Sequence, residues 1–289
     1  MKACLLDKGV AQIHIAVFLF GFAGLFGKFL SCSPLYIVLG RTFFASIALF
    51  FFAHLFSKTK LFVFEKKELF FFGLQGVLLA IHWWSFFLSI QISSVAIGLI
   101  TFSTFPLFVT FLEPLFFKEK LKLADIFIAG AVFLGIILVI PNFNFSDNIT
   151  KGGFLGIISG FTFAFLSLVN RRNARISDAI AIAFYQNLFA SIFLILPILS
   201  IQIAFPQFSD LPFLIFLGIF CTALAHTLFI KSLIHIRAQT AAVIAGLEPG
   251  YGIALAFLLL NEIPQIRTLI GGFIIIGTTL FAGRQSNVK

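Results

Sequence analysis

The chain has 289 residues, 60% hydrophobic and only 11% charged, with a formal net charge of +9; its mean hydropathy is +1.10 and its pI about 9.7. A soluble protein of this length cannot bury so much apolar surface, so lipid is the solvent for most of the chain and a soluble enzyme or binding domain is excluded. The positive charge does not point to nucleic acid either, because the basic residues sit in short segments between apolar spans and form no basic face with interleaved aromatics.

A hydrocarbon core about 30 Å thick needs about 20 apolar residues per helix. Ten runs answer that description: 10–30, 34–56, 69–90, 95–117, 123–140, 152–170, 179–200, 211–233, 239–260 and 265–283. Lys2 and Lys8 ahead of the first run resemble a secretory signal. No small-residue cleavage site closes that run, however, and further spans follow, so a retained anchor is expected. Pro34, Asp125, Asp178, Pro212 and Pro264 suit helix starts, where a proline loses no needed donor and an aspartate opposes the dipole. No length remains for a soluble domain. Cys4, Cys32 and Cys221 are far apart and imply neither a disulfide framework nor a metal site. The 44 phenylalanines are spread evenly, as lipid-facing surface requires.

Alternate loops differ sharply in Lys and Arg. With the N-terminus inside, Lys2, Lys8, Lys58, Lys60, Lys66, Lys67, Lys118, Lys120, Lys122, Arg171, Arg172, Arg175, Lys231, Arg237, Arg284 and Lys289 are cytoplasmic, against Lys151 and Arg267 outside. Both termini are therefore expected in the cytoplasm.

The second half repeats the first. Pro106, Glu119, Gly130 and Gly135 recur as Pro249, Glu262, Gly272 and Gly277, at offsets of 143, 143, 142 and 142 residues. The chain divides into two five-helix repeats, 1–145 and 146–289. Five is odd, so the second copy enters the membrane from the opposite face, with Glu119 in the cytoplasm and Glu262 outside. The expected fold class is an all-α membrane protein of ten transmembrane helices in two inverted repeats, with a site between the halves near the midplane.

Ionisable groups inside hydrocarbon cost about 2.5 to 3.5 kcal/mol each, so every one calls for a reason. Lys28 lies close enough to the outer interface to snorkel. Arg41, a third of the way into the second span, cannot shed its charge and needs an acid, backbone carbonyls or water. Gln75, His82 and Ser89 share one helical face of the third span, a polar stripe that either lines a pathway or bonds a neighbouring helix. His226 occupies the matching place in the eighth span. Trp83 and Trp84 could stack on a substrate but cannot both share the His82 face. Glu113 is nearer the cytoplasmic end, where basic side chains could pair with it. Glu248 is midway along the ninth span and is followed by Pro249, Gly250, Tyr251 and Gly252; the proline removes a backbone bond and the glycines weaken the helix, so Pro106, Pro249 and Gly250 are expected to break their helices. Gly130, Gly135, Gly271, Gly272 and Gly277 suggest tight packing of the fifth and tenth spans.

These paired segments, with Gly40, Arg41, Thr42, Phe43, Phe44 and Ala45 on the second span, resemble the EamA family of the drug/metabolite transporter superfamily over nearly the full length. The resemblance implies a ten-helix carrier of the bacterial inner membrane that moves amino acids or related organic compounds, mostly outward and with proton or ion exchange; a few relatives import, S-adenosylmethionine carriers among them. The Glu113-Pro114 and His82-Trp83-Trp84 segments are not general to that family. No catalytic triad, paired carboxylates, metal motif or phosphate-cradling loop is present, so no cofactor is expected and an ATP-driven pump is disfavoured. The expected reading is a secondary transporter, monomeric or homodimeric, that meets a small-molecule substrate, a proton or ion, and the lipid bilayer. Its substrate or proton pathway draws on Glu248, His82, His226, Arg41, Glu113, Gln75, Trp83 and Tyr251, in a cavity between spans 1, 3, 4, 6, 8 and 9. An intramembrane enzyme using His82, His226 and Glu248, and a passive channel, are the competing readings.

Overall fold

The computed structural model describes the backbone of residues 2–57, 59, 61, 66–117, 123–140, 144–201 and 203–286. The side chains of Lys2, Lys58, Lys60, Lys66, Lys118, Glu119, Lys120, Lys122, Asp125, Arg284 and Lys289 lie outside the described residues. In chain order come α1 (Lys2–Phe29), α2 (Pro34–Phe52) prolonged by a π-turn (Ala53–Ser57), α3 (Lys66–Ile92), α4 (Val95–Phe102), α5 (Phe105–Phe117), α6 (Leu123–Val139), α7 (Asn148–Asn173) and α8 (Ala179–Ser200). A 3-10 turn (Phe208–Asp210) then leads into α9 (Leu211–Gly218), a second π-turn (Ile219–Leu224), α10 (Ala225–His235), α11 (Ala238–Ala245), α12 (Glu248–Leu260) and α13 (Ile266–Ser286).

Among the described residues there is no strand, and seven helical stretches are long and apolar enough to cross a membrane: Lys8–Phe29, Pro34–Ser57, Lys67–Ile92, Val95–Phe117, Asn148–Asn173, Ala179–Ser200 and Phe208–His235. Three shorter apolar helices accompany them, Ile126–Val139, Glu248–Leu260 and Ile266–Thr278. Large apolar side chains such as Phe51, Phe56, Leu115, Phe127, Leu196 and Phe273 are exposed all around this helical body. Only lipid tolerates such a surface, so the chain is a multi-pass membrane protein. Helix starts follow local chemistry: Pro34 and Pro212 sit in the first turns of α2 and α9, and Asp178 accepts the Ile180 amide at 2.8 Å.

The runs 95–117 and 239–260, read as continuous in sequence, are each interrupted. Proline clashes with the carbonyl four residues before it and offers no amide to it. For Pro106 that residue is Phe102, where α4 ends; for Pro249 it is Ala245, where α11 ends. Each helix restarts one residue before its proline, and Gly250 lies inside α12. Hydroxyls cover the carbonyls near the first break: Ser103 Oγ donates to Leu99 O at 2.9 Å and Thr104 Oγ1 to Thr101 O at 2.8 Å.

Packing pairs the two halves. α2 lies on α8, and α6 on α13; α1 packs on α10 and α12, while α3 and α4 pack on α7. α4 also meets α12 and α5 meets α11, so the first part of each broken run touches the second part of the other. In the α6–α13 contact a Cβ at Gly271 would lie 2.7 Å from Gly135 O, a backbone approach that side chains would block. Gly130 and Gly277 face open space instead and contribute nothing to this contact.

Candidate functional site

The polar stripe of α3 faces α7 and fixes the register of the two helices. Gln75 Nε2 donates to Asn170 Oδ1 at 2.7 Å and Gln75 Oε1 accepts from Asn173 Nδ2 at 3.2 Å. One heptad on, His82 Nδ1 lies 2.8 Å from Ser159 Oγ and 3.1 Å from Ser159 O; another heptad on, Ser89 Oγ donates to Gly152 O at 2.6 Å. Gln75 thus clasps α3 to α7 at the interface, and of the three His82 also lines the central cavity.

That cavity lies in the middle of the bundle, where Arg41 from α2, His82 and Trp83 from α3, His226 from α10 and Glu248 from α12 converge. Its other walls are Phe20 and Ala23 of α1, Phe86 of α3, Phe102 of α4 and Phe163 of α7. Space for the centre of a water molecule amounts to about 20 Å³, enough for about one ordered water and too little for a metabolite. The arrangement therefore leaves no metabolite-sized space at this point.

The local fold positions each polar group. Arg41 is wholly buried; its Nε donates to Thr222 Oγ1 at 2.9 Å and its Nη2 to Cys221 O at 3.1 Å. These acceptors belong to the second π-turn, a kind of helix irregularity frequent at functional sites. The guanidinium carbon sits 3.6 Å from the centroid of the Trp83 ring, a cation–π contact that replaces some lost hydration. Arg41 Nη1 makes no hydrogen bond with the described residues. His226 lies edge-on to Trp83 at 4.7 Å between ring centroids, and Gln186 Nε2 is 3.3 Å from its Nδ1. An amide N–H donating there places the imidazole proton on Nε2, which is buried without a hydrogen-bond partner among the described residues.

Glu248 opens α12 just past the break and is 4% exposed. No hydrogen bond or ion pair to its carboxylate occurs among the described residues. α1 comes close behind it, since a Cβ at Gly21 would lie 2.9 Å from Glu248 O.

The remaining sequence candidates lie elsewhere. Glu113 of α5 is buried in an ion pair with Arg171 of α7, and Arg237 Nη2 is 3.9 Å from its other oxygen. Tyr251, on α12 one turn from Glu248, is partly exposed and lies edge-on to Phe18 at 5.6 Å. Trp83 is buried at the cavity, whereas Trp84 is half-buried and packs on the core.

Residues 7–140 and again 150–284 match the model of the EamA-like transporter family. The chain belongs to the EamA family. It is thereby a member of the drug/metabolite transporter superfamily. An S-adenosylmethionine uptake transporter of Rickettsia conorii is 25% identical to this EamA chain over 241 residues, covering 83% of this chain and 80% of the relative. An uncharacterized transporter of Archaeoglobus fulgidus is 29% identical over 171 residues, covering 57% and 58%. A solved crystal structure superposes with a TM-score of 0.73 at 17% identity, over 97% of this chain and 98% of that one, which shows the fold alone.

Several residues of this EamA cavity escaped the sequence reading: Phe20, Phe102, Phe163 and the anchor Ser159. A signal existed for some of them. Phe20 and Phe163 are 143 residues apart, as are Trp83 and His226, so some ring-bearing wall residues recur at the repeat offset. The charges do not: at that offset Arg41 corresponds to Phe184 and Glu248 to Phe105. The walls are duplicated only in part, and each charge is present once.

Proposed function

We propose that the protein is a secondary transporter that carries a small metabolite with an amino-acid-type head group across the bacterial inner membrane by alternating access. One observation carries this reading: the cavity holds a guanidinium and a carboxylate that are not paired with each other, enclosed by aromatic walls. Arg41 is held from two sides with Nη1 left for a substrate carboxylate, and Glu248 offers its oxygens to an ammonium. A zwitterion satisfies both charges at once, whereas a neutral or singly charged solute leaves one of them buried and unpaired.

The architecture belongs to the same proposal. Seven long helices and three short apolar ones make ten crossings, both termini lie in the cytoplasm, and the second repeat is threaded inversely to the first. The exchange of packing partners between the halves and the crossed contacts of α4 with α12 and α5 with α11 support that symmetry. Rocking of one half against the other would open the cavity to each side in turn. Coupling to a proton falls to Glu248, the one carboxylate on the cavity wall, with His82 and His226 beside it. Export is the direction the family resemblance favours.

A second reading, uptake of S-adenosylmethionine, is favoured by the name of the Rickettsia conorii relative. That molecule carries an amino-acid head and a sulfonium cation, and the walls of Phe20, Trp83, Phe86, Phe102 and Phe163 suit the latter.

Counterflow in liposomes containing the purified protein tests both readings. Labelled amino acids or S-adenosylmethionine should exchange against the same unlabelled compound, and Arg41→Gln and Glu248→Gln should each abolish that exchange. Wild-type protein that exchanges nucleosides or organic cations but no zwitterion would overturn the assignment.

A further inference from the structure

The two ends of the cavity are closed by different chemistry at matching positions. Phe20 and Phe163 face each other's repeat from its walls, and eight residues beyond them stand Lys28 and Arg171, again 143 apart. At 1.5 Å per residue these basic groups lie about 12 Å from the cavity, towards opposite ends of the bundle. Arg171 is buried, pairs with Glu113 and lies 4.3 Å from the Phe117 ring centroid, while Arg237, just ahead of α11, is 3.9 Å from Glu113. Lys28 is exposed and donates only to backbone, to Gln91 O at 3.3 Å and Ser93 O at 3.1 Å. The residue that matches Glu113 at the same offset is Ala256, so no carboxylate stands there for Lys28.

We propose that Glu113, Arg171 and Arg237 form a latch across α5, α7 and the start of α11 that holds their end of the cavity shut, so that the Lys28 end opens more readily. Parting α5 from α7 must separate the Glu113–Arg171 pair and pull Arg171 off Phe117. Parting α1 from the α3–α4 corner gives up the bonds of the exposed Lys28 ammonium to Gln91 O and Ser93 O and of the Gln91 amide to Leu30 O and Cys32 O, which water replaces, and separates no buried ion pair among the described residues. With the threading proposed above, the latch closes the cytoplasmic end and the protein rests accessible from outside. The inference rests on the alternating-access reading.

The test is cysteine accessibility in liposomes of sorted orientation, with Cys4, Cys32 and Cys221 replaced by alanine and Ala23→Cys on the cavity wall. A membrane-impermeant maleimide is applied from each side, without substrate. Ala23→Cys should react faster from the Lys28 side. Glu113→Gln should raise the rate from the Arg171 side by at least about tenfold, since removing one partner of a buried pair strongly destabilises the closed end. Lys28→Ala should leave that rate unchanged, and the swap of Glu113→Arg with Arg171→Glu should return it towards the parent value. Arg237→Ala, a milder change should Glu113→Gln fail to fold, should raise the same rate by a smaller factor. A rate from the Arg171 side that neither Glu113→Gln nor Arg237→Ala alters would overturn the latch. Because labelling needs no substrate, absent counterflow with these labelling differences intact would count against the proposed substrate class alone.

Discussion

The Arg41 guanidinium carbon lies 3.6 Å from the Trp83 ring centroid, while the N–H edge of the same group is tied to the π-turn at Cys221 and Thr222. The charge is thus held by geometry that only a planar, forked cation meets. Arg41→Lys should therefore behave as a loss of function despite keeping the charge, with exchange reduced by at least about tenfold, since a lysine cannot reach Thr222, Cys221 and a substrate together. Counterflow rates normalised to folded protein check this; a lysine variant with wild-type exchange would remove the fork from the recognition.

Glu248→Asp and Glu248→Gln separate charge from reach. The aspartate variant should retain exchange with a weaker apparent affinity, because the carboxylate remains but sits one methylene further from the ligand. The glutamine variant should lose exchange and coupling together, because the amide cannot balance an ammonium. Concentration dependence of counterflow distinguishes the two, and normal exchange by Glu248→Gln would take the carboxylate out of substrate binding.

Gln75 clasps α3 to α7 through Asn170 and Asn173, outside the cavity. Gln75→Leu should lower stability in detergent by about 1 kcal/mol, in line with interhelical hydrogen bonds in membranes, while substrate affinity stays at the wild-type value. Thermal unfolding followed beside counterflow measures both; an affinity loss without destabilisation would place Gln75 in the pathway after all.

Pro249→Ala should let α11 and α12 join, since alanine restores the missing amide and removes the clash with Ala245. The variant should be at least as stable as wild type yet transport at least about tenfold more slowly, because a continuous helix moves Glu248 from its place on the cavity wall. Pro106→Ala should have a smaller effect, since Phe105 occupies the place of Glu248 in the other repeat.

How far the sequence could be read depended on the kind of signal. Runs of apolar residues and the helix starts at Pro34, Asp178 and Pro212 were legible because they follow from local chemistry and from the thickness of the bilayer. The convergence of Arg41, His82, Trp83, His226 and Glu248 on one cavity was anticipated only as a list of costly intramembrane groups. Gln75, Glu113 and Tyr251 were on the same list and lie elsewhere, because a polar atom in a membrane helix is equally well served by a clasp, an ion pair or the bundle surface. The breaks at Ser103–Thr104 and Gly246–Leu247 fall before the prolines because a proline acts on the carbonyl four residues back.

By itself the sequence determined the solvent, the apolar runs and the repeat, since each is a property of composition or of residues along one chain. Which polar groups meet was decided by the tertiary structure alone. Arg41 and Thr222 are 181 residues apart and Glu113 and Arg171 are 58 apart, so no spacing rule joins them. Their partnership arises from helices of the two halves packing against each other in a solvent that cannot satisfy a buried charge.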